Sequence, residues 1–112
     1  MNVNDDFEEI KDNLRKHGPY WPGHALRRFE ERFSNYTRKE LIDAIIINGE
    51  AIRYEWQKGY EPRVLVYAET VNHEPFHIAI KKGQWPVIVT LYNEFSEFEQ
   101  DCKTRKKKYY SR

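Results

Sequence analysis

The chain has 112 residues, 33% of them charged, with a hydrophobic fraction of 39% and a mean hydropathy of −0.93; that is enough for one modest core and too polar for a membrane span. The formal net charge of +1 conceals an uneven distribution, because six of the 19 Lys and Arg stand in the last ten residues while all 18 Asp and Glu come earlier, leaving residues 1–102 at −5. A lone cysteine, Cys102, excludes an internal disulfide and a cysteine metal site, and the acidic start lacks a secretory pattern; together these imply a soluble cytoplasmic domain over 1–102 and a basic tail over 103–112.

Residues 5–17 place Phe7, Ile10 and Leu14 at helical spacing, with acids in the first turn, bases in the last and Gly18-Pro19 as a stop. A turn at Tyr20-Trp21-Pro22-Gly23 leads into a second helix over 24–33, whose Ala25, Leu26, Phe29 and Phe33 share one side. Thr37-Arg38-Lys39-Glu40 reads as a capping box for a third helix, which runs through Leu41 to Ile46 and closes at Asn48-Gly49.

After Gly49 the apolar period changes to two. Strands are expected over 51–57, 63–71, 76–81 and 87–92, separated by turns containing Gly or Pro, with a last short helix over 95–103. The fold class is therefore α+β: N-terminal helices packed on one face of a four-stranded antiparallel meander, the other face left partly open.

One string within this pattern points elsewhere. His73-Glu74-Pro75-Phe76-His77 is a literal H-E-x-x-H, which on a helix would be a zinc peptidase signature. Pro75 opposes a helix, and the alternation after it favours a turn followed by a strand. In extended chain, positions four apart are separated by roughly 13 Å, too far to share an ion. No metal ligands and no cofactor are expected.

The second helix carries His24, Arg28 and Arg32 at steps of four, a ridge of three potential cations that is tolerable beside carboxylates or against a polyanion. On the third strand His77 and Lys81 face away from Phe76, Ile78 and Ile80. If Val87 and Val89 join the core, Thr90 and Tyr92 share the face of His77 and Lys81. His, Lys, Arg and Tyr without a carboxylate pair suit metal-independent RNA cleavage. His24 or His77 would serve as base or acid, Arg28, Arg32 or Lys81 would stabilise the phosphorane, and Tyr92 would stack or donate.

The strings GHALRRFEERF and TRKELIDAIIING, followed by 63–67, 75–80 and 87–92, resemble a family of small bacterial domains. That family has a His-Ala-x-x-Arg-x-x-x-Arg helix, a helix ending in Asn-Gly, a Pro-x-His strand and a Val-Ile-Thr-x-Tyr-like strand. It is grouped with the RelE and BrnT toxins of the barnase, EndoU, colicin and RelE-like ribonucleases. The resemblance spans about Gly23 to Tyr92 and implies an endoribonuclease fold, an RNA substrate, a cognate antitoxin protein as partner and roles for His24, Arg28, Arg32, His77, Thr90 and Tyr92. Lys81 and the tail cations Lys103, Arg105, Lys106, Lys107 and Lys108 would add RNA contacts. The chain departs from the family in Phe33-Ser34-Asn35-Tyr36, in its N-terminal helix and in its basic tail. The alternative is a non-catalytic protein- or nucleic-acid-binding module of phage or mobile-element origin.

Overall fold

A computed structural model describes residues 2–56, 59 and 61–92; the expected helix over 95–103 and the basic tail, with Lys103, Arg105, Lys106, Lys107 and Lys108, lie outside the described residues. The element order is α1 (Val3–Lys16), α2 (Gly23–Arg32), α3 (Arg38–Asn48), β1 (Glu50–Glu55), β2 (Arg63–Glu69), β3 (Pro75–Lys81) and β4 (Val87–Tyr92). The strands form one antiparallel sheet in the order β1-β2-β3-β4, the α+β meander expected. No described helix is long and apolar enough to cross a membrane.

Helices α1 and α3 follow from local chemistry. Asn2 caps α1 by accepting from the Asn4 and Asp5 backbone N–H groups, and the spacing of Phe7, Ile10 and Leu14 buries all three. Each such side chain contributes about 1.5–3 kcal/mol relative to exposure. The capping box of α3 is complete, because Thr37 Oγ accepts from the Glu40 N–H while the Glu40 carboxylate accepts from the Thr37 N–H. Helix α3 then stops at Gly49. A Cβ there would lie 2.3 Å from Ile45 O and 2.9 Å from the Phe7 ring, so the helix end, α1 and the first strand meet too closely for any side chain.

The main core lies between the helices and the sheet face formed by Val64, Val66, Ala68, Phe76, Ile78, Ile80, Ile88 and Leu91. Two bulges correct the simple alternation expected from sequence. Ile88 and Leu91 are three residues apart yet both buried, opposite Ile80 and Ile78; Val89 is the extra residue, skipped between Ile88 and Thr90 in the pairing with β3. Val87 and Val89 are thus not the core positions of β4. In β1 the skipped residue is Ile52, which the bulge leaves exposed.

The second sheet face is also less open than expected. Leu65, Ala79, His77 and Tyr92 all lie on it, and all are buried.

Helix α2 packs against β4, the strand at the margin of the sheet. Ahead of it, Tyr20 accepts from the Ile88 N–H at 2.9 Å and donates its own N–H to Pro86 O at 2.8 Å, a short parallel bridge. Asn13 of α1 donates to Gly83 O at 3.1 Å and holds the β3–β4 turn against the same corner.

Candidate functional site

Seen from the margin of β4, the His24–Arg28–Arg32 ridge has a definite use. His24 Nε2 lies 2.8 Å from Val89 O, and Arg32 donates to Leu91 O at 2.5 Å. An unpaired strand edge presents carbonyls that need donors, and the two ends of the ridge supply them. The Val89 bulge keeps this possible: Ile88 gives its N–H to Tyr20, and one residue later the chain offers Val89 O to His24.

The bond to Val89 O also sets the chemistry of His24. A carbonyl oxygen can only accept, so Nε2 carries the hydrogen, and in the neutral ring Nδ1 keeps its lone pair. The ring is exposed to solvent. Arg28, one turn further along, is exposed too and makes no ion pair or side-chain hydrogen bond among the described residues. An oriented, accessible imidazole with a guanidinium one helical turn away is a geometry that can take a proton beside an anion.

His77 is placed differently. It sits in register between Tyr67 of β2 and Tyr92 of β4, only 5% exposed, its ring edge-on to Tyr67 with centroids 5.3 Å apart. Burial, with a smaller push from Arg53, holds the imidazole below its ordinary value and so neutral at neutral pH. Thr90 pairs with Ala79 and is half-buried, while Tyr92 pairs with His77 and is buried. The face shared by His77, Lys81, Thr90 and Tyr92 is as expected. Lys81 stands at its far end opposite Val87, with Glu61 3.5 Å away.

The H-E-x-x-H string folds as a turn and a strand. His73 adopts a positive φ of 62°, its N–H donates to Thr70 O, and its side chain is exposed near Glu69, while His77 is buried in β3. Among the described residues no group of three His, Cys, Asp or Glu side chains is placed to hold a metal ion.

Two cavities lie on either flank of α3, and neither was expected from the sequence. One, of about 690 Å³, is lined by Glu40, Asp43, Glu50 and Glu69 together with Ile47, Tyr67 and Val71. The other, of about 580 Å³, is lined by Arg15, Arg38 and Lys39 with Trp21, Ile42 and Ile46. Its nearest sequence signal is the Pro-flanked pair Tyr20-Trp21 between two helices, which leaves an indole where two basic helix ends meet.

Comparison of the chain with protein-family models, with curated proteins and with solved structures gave no match.

Proposed function

We propose that the chain is a RelE/BrnT-like, metal-independent endoribonuclease, the toxin of a toxin–antitoxin pair, with the His24–Arg28–Arg32 ridge at the margin of β4 as its working surface. The observation that carries this reading is the fixed tautomer of the exposed His24 beside the exposed Arg28. In it, His24 Nδ1 takes the proton from a 2′-hydroxyl, the 2′-oxygen bonds to phosphorus as the P–O5′ bond breaks, Arg28 stabilises the charge that develops on the phosphate, and the departing 5′-oxygen takes its proton from water. Arg32, anchored to Leu91 O, positions the RNA strand, while Thr90 and the buried Tyr92, on the second sheet face, hold β4 in register behind it. A protein antitoxin would act by covering the ridge.

His24→Gln is the decisive variant. A glutamine amide can keep the N–H donated to Val89 O, but it has no titrating nitrogen. Purified protein incubated with RNA in chelator should cut it, and His24→Gln should lower the rate by about 10²-fold or more at unchanged thermal stability. Cleavage that survives in His24→Gln would remove the base from the mechanism.

The binding-module reading draws on a different observation: His77 and Tyr92, two of the six candidate catalytic residues, are buried. RNA bound but left intact by the wild-type protein would select that reading.

A further inference from the structure

The cavity of about 580 Å³ between the end of α1 and the first turns of α3 is unlike the His24 ridge in kind. Its walls combine an apolar floor of Ile42 and Ile46, the indole of Trp21 and three cations, Arg15, Arg38 and Lys39. Two of these cations are engaged locally: Arg15 bonds Asp12 at 3.1 Å and Lys39 bonds Asp43 at 2.8 Å. Asp43 is the one carboxylate in the lining, and the Lys39 bond occupies it. Arg38 makes no ion pair among the described residues, and its guanidinium lies over the Trp21 ring, 5.9 Å from the centroid. The indole is itself held in place, edge-on against Phe29 of α2 with centroids 5.7 Å apart. The volume is within the ordinary range for a small-molecule site.

A flat ring beside Trp21 and a negative charge beside Arg38 would satisfy this lining together. An apolar ligand would leave the guanidinium without a counter-charge, and a simple anion would leave the isoleucine floor unused. We propose that the cleft binds a nucleotide, the base stacking on Trp21 over the Ile42 and Ile46 floor and the phosphate meeting Arg38. The ligand is a free nucleotide or an unpaired nucleotide within an RNA strand; the chemistry of recognition is the same. The site does not depend on cleavage at His24. Its backbone supports are rigid, since Tyr20, next to Trp21, is bonded at both its N–H and its carbonyl to the β4 segment.

The test uses the full chain in chelator, with adenosine 5′-monophosphate and a single-stranded octa-adenylate as separate probes, read by calorimetry and by NMR shifts of the Trp21 indole N–H. The wild type should bind at least one probe with a shift at Trp21. Arg38→Ala should weaken binding about tenfold or more, and Arg38→Glu should abolish it. Arg38 is exposed at the first position of α3, so neither change should disturb folding. Binding of the monophosphate marks a free-nucleotide site, whereas binding of the octamer alone marks an RNA-strand site; either supports the cleft. Failure of both probes to bind wild type, or equal affinity in Arg38→Glu, overturns it. The two proposals separate cleanly. RNA cut equally by wild type and Arg38→Glu, with equal affinity, leaves the nuclease standing and removes the cleft, while nucleotide bound without any cutting does the reverse.

Discussion

Helix α3 stands between two cavities of similar size and opposite electrical character. On one flank, Glu40, Asp43, Glu50 and Glu69 surround about 690 Å³; on the other, Arg15, Arg38 and Lys39 surround about 580 Å³ beside an indole. Volume therefore says little about the ligand, and the sign of the lining says much. The larger cavity would repel a phosphate; the smaller has a guanidinium that makes no ion pair among the described residues and can receive one. The separation arises within a single turn, where Arg38 and Lys39 fall on one flank and Glu40, about 100° further round, falls on the other.

The strongest way to break this contrast is to unseat the wall both cavities share. Ile45 is fully buried under α3, and Ile45→Ala should cost about 2–5 kcal/mol in denaturant unfolding while loosening both flanks at once. A smaller effect is expected at the capping box. Thr37→Ala removes the side-chain bond to the Glu40 N–H and should cost about 1 kcal/mol. Because fraying starts at the first turn, hydrogen exchange should rise at Glu40 and Leu41, whose N–H groups bond Thr37, before it rises at Ile47 and Asn48.

The acidic flank can be read by titration. Burial first, then the hydrogen bond to Glu69 and the charges of Glu69 and Glu50, raise the Tyr67 phenol above its ordinary value of 10.0. A group raised in the fold contributes stability that is fully present below its unfolded value, near pH 10, and lost as pH rises through the folded value. In Glu69→Gln the Tyr67 titration, followed by NMR of labelled tyrosine rings, should move down toward its ordinary value, and the alkaline loss of stability should be smaller and complete at a lower pH, with its onset unchanged. Arg38→Glu, on the other flank, should leave that titration where it was. The smallest effect is the null on the acidic side: Glu69→Gln should leave nucleotide affinity within about twofold of wild type. A larger gain would mean that the long-range field of the acidic cavity, rather than local contact, governs the basic cleft.

The helices and strands were largely legible in the sequence because each rests on local chemistry. Phe7, Ile10 and Leu14 mark a helix by their spacing, Thr37 and Glu40 mark its neighbour's start, and Pro75 turns an H-E-x-x-H into a turn and a strand. The ridge of His24, Arg28 and Arg32 was legible too, as a spacing. Its attachment to Val89 O and Leu91 O was not, because a bulge at Val89 is a property of two strands in register and leaves no mark in the alternation of one. Alternation put His77 on the face with Lys81, Thr90 and Tyr92, but could not tell that His77 and Tyr92 are buried there.

The chain alone fixed its α+β order, its helix caps and turn positions, and the residue types available to meet an anion, since these depend on neighbours within a few residues. Which carbonyls the cations reach, which imidazole is exposed and which is neutral and enclosed, and where Trp21 meets Arg38 were decided only by tertiary packing. The physical reason is that those properties depend on distance and solvent exclusion between segments tens of residues apart, which no local pattern encodes.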